Sequence, residues 1–552
     1  MIFKSTLKSV KVADEPLHEV ILEKIWDYHK RFGDKPCLIS AEDESIKITY
    51  KQIFLNAYSV ASFLKNNGFK KPDVATFVTF NSWEILPIFL GCSLRGITLS
   101  GMSYAFNERE IETQLIDSDS KIVFCSKEVL NKVLKVAKNC PKIRMIVLLN
   151  DLKKPTEELP FGTYKFSDVL AATPDLKDSH INIDPVKDIL ILPYSSGTTG
   201  TPKGVMLSNK NFGTMMNAVE HHFESTILPS LSKYIQSWED ESSLLFLPFY
   251  HIYGFGLLIN NLLRGSTGII MKHFDQNIFC SMIQKYKIKV LALVPPILVF
   301  LAKHSIPQKY DLTSLRFILT GAAPCGKDLI DEVRKKYPSI QHIYQGYGMT
   351  EVGMGSHFPF VDENSNTSAA GRLAPNYEMK IVDVETGKEQ NIGEKGEIWL
   401  RGPTIMLGYY KKQHETDEMI DRNGWLRTGD IGFVDKHNNL FIVDRIKELI
   451  KVKGLQVAPA ELEDILLSHP KVQDCAVIGI PDNDAGELPK AFVVKKDKTL
   501  NEKDVYDYVA NKVAHYKHLK GGVEFIDEIP KSPAGKILRR FLREKVSLKN
   551  KI

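Results

Sequence analysis

VATFVTFNSWEILPIFLGCSL, residues 74–94, joins an apolar run of strand length, Val74 to Thr79, to a helical periodicity from Trp83 to Leu94. The alternation recurs when Lys121 to Cys125 is followed by Lys127 to Ala137. Strand-length apolar runs separated by helices argue for parallel α/β layers. From about Gly371 to Val443 the pattern changes to short strands between turn residues: Asn376 to Asp383, Gly396 to Arg401, Ile431 to Val434, and Leu440 to Val443 after His437, Asn438 and Asn439. This predicts a smaller β unit built of hairpins. Beyond Asp444 the charge density rises, and Ala458 to Leu467 carries helical spacing with Pro459 at a helix start. A second, smaller α+β domain is expected to begin near Lys447, giving domains of 1–446 and 447–552. The polar stretch Ser230 to Ser243 reads as a surface loop, and there is no internal repeat.

The chain has 552 residues, which at roughly 150 residues per domain allows about three to four units. Apolar residues at 43%, charged residues at 25% and aromatics at 10% exclude a disordered, fibrous or disulfide-scaffold protein. Lys+Arg 72 against Asp+Glu 67 leaves +5, too weak a field to imply nucleic acid or an anionic membrane as the main partner. An anionic ligand must therefore be held locally. The seven cysteines, Cys37, Cys92, Cys125, Cys140, Cys280, Cys325 and Cys475, are odd in number and form no C-x-x-C pair. They read as buried thiols in a reducing compartment. The N-terminus lacks a long apolar h-region, and the longest apolar stretch, Val290 to Ala302, is too short to span a bilayer and is broken by Pro295 and Pro296. The expectation is a chain neither secreted nor transmembrane.

Asp188 to Leu192 is a buried-strand pattern that runs into YSSGTTGTPKG, Tyr194 to Gly204. Three glycines, five Ser/Thr residues and Lys203 fall within eleven residues. Glycines let backbone close around an anion, Ser195, Ser196, Thr198 and Thr199 donate hydrogen bonds, and Lys203 adds charge. Two residues separate Gly200 from Lys203, and a glycine follows the lysine, so the Walker spacing fails and a P-loop hydrolase is disfavoured. The plain alternative is a flexible polar hairpin loop.

With this loop the sequence resembles the adenylate-forming superfamily: acyl-CoA synthetases, coumarate-CoA ligases, beetle luciferases and the adenylation domains of peptide synthetases. The resemblance continues through LPFYHIYG (Leu247 to Gly254), TGAAP (Thr320 to Pro324), QGYGMTE (Gln345 to Glu351), GEIWLRGP (Gly396 to Pro403), GWLRTGD (Gly424 to Asp430), DRIKELIKVKGLQVAPAELE (Asp444 to Glu463) and PKSPAGKILRR (Pro530 to Arg540). A looser match at Ile48, Thr49 and Tyr50 extends it over roughly Ile48 to Arg540. It implies a large N-terminal body of two α/β subdomains with a small β-barrel-like unit, and a mobile α+β C-terminal domain.

The resemblance also assigns roles. Ser195, Ser196, Gly197, Thr198, Thr199, Gly200 and Lys203 would hold phosphate; Gly321, Ala322 and Ala323, with Gln345, Gly346, Tyr347 and Gly348, would lie along the adenine. Tyr347 would stack on the base, Thr350 would meet the α-phosphate and Glu351 would hold Mg²⁺, since a hard carboxylate oxygen suits magnesium. Asp430 would accept from both ribose hydroxyls, with Arg445 beside it. Lys536 would bridge the carboxylate and α-phosphate in the first half-reaction. Lys451, Gly454 and Gln456 would serve CoA in the second, with Lys447 as the hinge between them. His251, which read alone is a satisfied core histidine, moves to the lip of an acyl pocket with Tyr253, Gly346 and Met354. Asn209 departs from the family pattern, where histidine commonly follows the Leu-Ser/Thr pair.

The leading expectation is an ATP-dependent acid-thiol ligase that makes an acyl-adenylate and then an acyl-CoA from a fatty or aryl-propenoic acid, using ATP, Mg²⁺ and coenzyme A. The alternatives are a luciferase-type oxidoreductase sharing the adenylation step and a nucleotide-binding protein without catalysis. Amino-acid activation is disfavoured because His251 stands where an aspartate would hold the substrate ammonium. The basic residues after Arg540 read as a solvated helix. The terminal Asn550, Lys551 and Ile552 only loosely resemble a peroxisomal address, which leaves the cytoplasm as the default.

Overall fold

The computed structural model describes residues 1–149, 162–177, 181–195, 202–453, 455–482, 484–532 and 535–549. Ser196, Gly197, Thr198, Thr199 and Gly200 of the phosphate loop, Gly454, and the terminal tripeptide lie outside the described residues.

Val74–Thr79 is a strand buried on both faces, parallel to Thr98–Ser103 on one side and Ser120–Cys125 on the other. Apolar side chains on both faces require cover on both, and helices supply it. Ile85–Leu94, buried at every residue, packs on Tyr50–Asn66, whose first turn is closed by a capping box between Thr49 and Gln52. The sheet has nine strands. Ile189–Leu192 joins it parallel to Thr98–Ser103, and Lys203–Ser208 returns antiparallel beside it, so the phosphate loop springs from a sheet edge.

A second α/β layer holds two further sheets, one of them the parallel trio Val290–Leu293, Phe317–Thr320 and His342–Gln345. The carboxyl ends of these three strands deliver Val294, Gly321 and Gly346 to one place, the position where open parallel sheets bind ligands. The β unit is five antiparallel strands in the order Ile2–Lys4, Glu378–Val382, Gly396–Arg401, Leu426–Val434 and Leu440–Arg445. The last 100 residues build their own sheet from Ile450–Val452, Leu455–Val457, Val472–Asp482, Gly486–Lys495 and Val523–Phe525, with separate apolar clusters around Val477 and Phe492. The molecule is thus an α/β protein with a large N-terminal body and a smaller C-terminal domain.

Two expectations need correction. Ser230 to Ser243 is not simply a surface loop: Trp238 within it is 5% exposed and packs on Phe223, and a strand begins at Ser242. The C-terminal helix Arg539–Lys549 is not a solvated basic helix either. Leu542 and Val546 enter the core, Arg539 pairs with Glu463 at 2.7 Å, Arg543 pairs with Glu448, and Lys545 pairs with Glu524 at 3.2 Å. Acids far away in sequence neutralise what looks locally like an uncompensated charge run. All seven cysteines are free and buried, as expected. Among the described residues no helix is long and apolar enough to cross a membrane.

Gly91 marks a close interhelical approach, where a Cβ would stand 2.6 Å from Val60 and 2.9 Å from the Ala57 carbonyl. Gly91→Ala is expected to destabilise the N-terminal body by about 1–3 kcal/mol through overpacking, measured as a lowered denaturant midpoint for its unfolding transition.

Candidate active site

The site is built around the Asp430 carboxylate, 6% exposed inside the strand Leu426–Val434, next to Gly429 at φ 72°, where pairing with Gly396–Arg401 shifts register. Its Oδ2 accepts from the Tyr347 hydroxyl at 2.6 Å, and its Oδ1 faces Arg445 Nε at 3.2 Å on the neighbouring strand. Two oxygens carry about four lone-pair sites, so capacity remains for ligand hydroxyls. Burial, and then the negative charge of Asp430, push the Tyr347 phenol up, so it stays a donor. Asp430 raises Arg445 in turn.

Lys536 reaches this group from the C-terminal domain. Its loop is held by the Ser532 hydroxyl, which accepts from Lys536 N–H at 3.2 Å, and by Gly535, at φ 79°, where a Cβ would come within 3.2 Å of Pro296 and Val294. Desolvation lowers the ammonium pKa and Arg445 lowers it further, while Glu351 and Asp430 oppose the shift. The geometry collects one lysine, one arginine and two carboxylates from both domains around one space.

Glu351 is buried in a short 3₁₀ turn, Thr350–Val352, with Thr350 buried beside it. Its Oε1 accepts from the Tyr409 hydroxyl at 2.9 Å, and Lys203 Nζ lies 4.9 Å above the Tyr409 ring. Tyr409 therefore couples the phosphate-loop lysine to the acid of QGYGMTE, a link the sequence analysis missed. A tyrosine among the neighbouring tyrosines of GYY offers no local pattern that marks it. Ser195 pairs with Lys203 across the antiparallel ladder at the base of the loop.

On the acyl side, Gly321 faces Tyr253, while a Cβ on Gly346 would point at the His357 carbonyl, 3.2 Å away. A Cβ on Gly321 would lie 3.7 Å from the Tyr253 ring and 3.8 Å from the Gly346 carbonyl. Ala322 takes a left-handed φ of 71°, and Ala323 follows it in the turn after that strand. Gly348 admits no side chain, because a Cβ would collide with the Met354 carbonyl. Met354, at φ 151°, lays its sulfur on Gly256 of the helix Ile252–Leu263. His251 is the N-cap of that helix: its Nδ1 accepts from Tyr253 N–H at 3.3 Å, which leaves the proton on Nε2. Burial and the nearby Lys536 hold it down to about 3, so it is neutral. The core-histidine and pocket-lip readings thus meet in one residue.

Other expected residues stand apart. The Gln345 amide is engaged by Cys325 N–H at 2.8 Å and by the Cys325 and Thr367 carbonyls at 3.0 and 2.9 Å, which makes it a brace for the TGAAP loop rather than a free contact. Asn209 accepts from Leu17 N–H at 2.9 Å, a purely internal bond. Lys451 and Gln456 are exposed cross-strand partners on the Ile450–Val457 hairpin, on a face of the C-terminal domain that does not meet Asp430. Lys447 follows Arg445 in the turn where Glu448 N–H donates to the Arg445 carbonyl at 3.0 Å.

A family model described as AMP-binding enzyme matches residues 25–410, and one described as AMP-binding enzyme C-terminal domain matches 461–536. This chain belongs to the adenylate-forming AMP-binding enzymes. It is 40% identical to 4-coumarate–CoA ligase 2 of Nicotiana tabacum, over 99% of this chain and 97% of that one. It is 36% identical to acyl-CoA synthetase 7 of Caenorhabditis elegans, over 96% of both. Among solved structures, the anthranilate CoA ligase AuaEII in complex with anthranoyl-AMP superposes with a TM-score of 0.85 at 25% identity, covering 98% of this chain and 100% of that one. ATP-bound MatB from Rhodopseudomonas palustris gives 0.79 at 26% identity, covering 95% of this chain and 98% of that one. If the free lone pairs of Asp430 receive ribose hydroxyls, Asp430→Ala should weaken ATP binding by about 1.5–3 kcal/mol for each charged hydrogen bond lost. Isothermal titration with ATP measures it, and Asp430→Asn should recover part of the loss.

Proposed function

We propose that this chain is an ATP-dependent acid–CoA ligase that forms an acyl-adenylate, releases pyrophosphate, and then transfers the acyl group to the thiol of CoA. The observation that carries the reading is the approach of Lys536 to Arg445, Asp430 and Glu351 from the other domain. Adenylation brings a carboxylate against a phosphate, so it needs positive charge fixed where charge develops. Lys536 supplies it beside neutral His251, at the junction of the nucleotide and acyl spaces. Asp430 holds the ribose, Tyr347 lies against adenine, and Thr350 and Lys203 meet phosphates. Glu351 fits a magnesium ion held jointly with phosphate oxygens, because one oxygen takes Tyr409 and the other takes no hydrogen bond among the described residues. That ion would neutralise phosphate charge.

The acid enters beside Tyr253, where Gly321 and Gly346 have no side chains to fill the space and so admit a fatty or aryl-propenoic chain; the relatives named for coumarate and acyl substrates favour this class. The thioester step uses Lys451 and Gln456, which are exposed here. One small domain cannot present both lysines to one acyl carbon, so the domain turns about Lys447 between half-reactions.

ATP–pyrophosphate exchange dependent on a carboxylic acid is the direct test. If a broad panel of acids supports no exchange while ATP still binds, the chain is a non-catalytic nucleotide binder. Lys536→Ala should suppress adenylate formation yet leave supplied acyl-adenylate reacting with CoA, and Lys451→Ala should do the reverse; single-turnover assays of each half separate them. The depressed Lys536 pKa gives a signed pH effect. The protonated form is needed, so the alkaline limb of kcat/KM for ATP falls at lower pH than an ordinary lysine would give, and Lys536→Arg moves that limb up.

A further inference from the structure

Below the acyl entrance lies a cavity lined by Phe223, Trp238, Leu245, Leu257, Ala292 and Arg264, among others. It sits against the same helix that His251 caps. Tyr253 and Leu257 are four residues apart on Ile252–Leu263, so they share one face, and both are partly open while residues 254–256 are buried. The facing strand Val290–Leu293 shows the same pattern, with Val290 and Ala292 partly open and Leu291 and Leu293 buried. The open face of the helix and the open face of the sheet line one space. Leu257, Arg264, Val290 and Ala292 line the cavity itself, and the other end of that strand leads to Val294, where Gly535 packs.

Arg264 is 8% exposed, with its guanidinium 3.9 Å over the Phe223 ring and 4.8 Å over Trp238. Its Nε donates to the Asn260 carbonyl at 3.4 Å, and its two terminal nitrogens meet no acceptor among the described residues. Glu220 is paired with Lys24 at 2.5 Å, and Lys289, also on the wall, is paired with Glu241 at 2.6 Å. Glu224 is near enough to be felt electrostatically but makes no ion pair with Arg264 among the described residues. Burial brings the guanidinium down to about 10. The Trp238 indole N–H on the same wall is also buried without a partner. Both groups are donors only. Buried donors without acceptors are costly, so a ligand that brings acceptors is favoured. Phe223 opens a one-turn π-helix, Phe223–Ile227, an irregularity that recurs at functional sites.

We propose that this cavity is the far end of the acyl channel and that Arg264, flanked by Trp238, receives a second carboxylate of the substrate, so that the acid activated is a long α,ω-dicarboxylic acid. The inference rests on the ligase reading above. A planar guanidinium stacked on aromatic rings matches a carboxylate in two-point fashion, which a lysine would not. The length follows from the fold. Eleven residues of helix from Tyr253 to Arg264 rise about 16 Å, and four residues of strand from Val290 to Val294 extend about 13 Å. The two carboxyls must therefore stand roughly that far apart, and the intervening chain meets Leu257, Ala292 and Leu245. A short diacid leaves Arg264 unmet, and a long monoacid places a methyl against it.

Pyrophosphate exchange with matched pairs, dodecanoic against dodecanedioic acid and hexadecanoic against hexadecanedioic acid, tests this in wild type, Arg264→Met and Arg264→Lys. The expected result is a diacid advantage of at least tenfold in kcat/KM for the pair that spans the channel. Arg264→Met should lower the diacid-to-monoacid ratio at least tenfold, and Arg264→Lys should fall between. Leu257→Trp, which blocks the channel between Tyr253 and the cavity, should remove long acids of both kinds. If monoacids exchange as well as diacids at both lengths, or the ratio survives in a folded Arg264→Met, the inference is overturned and the ligase reading stands. No exchange with any acid removes both. Should Arg264→Met fail to fold, the wild-type ratio and the Leu257→Trp variant decide alone.

Discussion

A buried carboxylate organises this protein. Asp430 is almost wholly removed from water, and an isolated charge there would be expensive. It is met by a phenol from the loop after His342–Gln345 and a guanidinium from the next β strand. That requirement ties the parallel trio of strands to the antiparallel β unit, and it places Arg445 at the end of that unit's last strand, Leu440–Arg445. The position of Lys536 is a consequence. A lysine brought into the same space sits beside an arginine that disfavours its charge and two carboxylates that favour it, so its electrostatics are set by residues of the other domain.

The two domains meet through few bonds, and most are backbone carbonyls or N–H groups engaged from across the boundary. Lys303 donates to the Leu467 and Val472 carbonyls at 2.8 and 3.1 Å, where a helix ends and a strand begins. Asp444 accepts from Ala460 N–H at 3.0 Å and so caps the helix Pro459–Leu467, whose own N-cap, Ala458, has no side chain able to do it. The carboxylate of Asp464 lies against Gly326, where any larger residue would collide with it.

On the acyl side the constraint is volume rather than charge. Gly321 leaves room in front of Tyr253, while Gly348 is required for a different reason, the close approach of the Met354 backbone. Met354 fills the remaining gap at Gly256 with a side chain that can repack when a substrate arrives. The cavity on the same helix carries Arg264 and Trp238 on a wall shared with the Lys289–Glu241 pair.

The parallel body, the hairpin unit and the separate C-terminal domain were legible because strand and helix periods are local. Lys127 to Ala137 is helical over the expected span, and Asp188 to Leu192 differs from the observed Ile189–Leu192 by one residue. The motifs named most of the polar groups that converge, Lys536, Asp430, Arg445, Glu351 and Tyr347, because each lies in a short run of unusual composition. What only the tertiary structure decided are pairings that no local pattern encodes. Ile2–Lys4 completes a sheet with Glu378–Val382, the Tyr409 hydroxyl reaches Glu351, and Arg543 meets Glu448. The same holds for roles. Gln345 has the composition of a ligand contact and is a brace, and Arg264 looks like an ordinary helix-ending residue and stands unpaired against a cavity. Sequence fixes which side chains carry charge and which segments extend or coil; whether a given charge finds its partner depends on contacts hundreds of residues apart, and those exist only once the layers have packed.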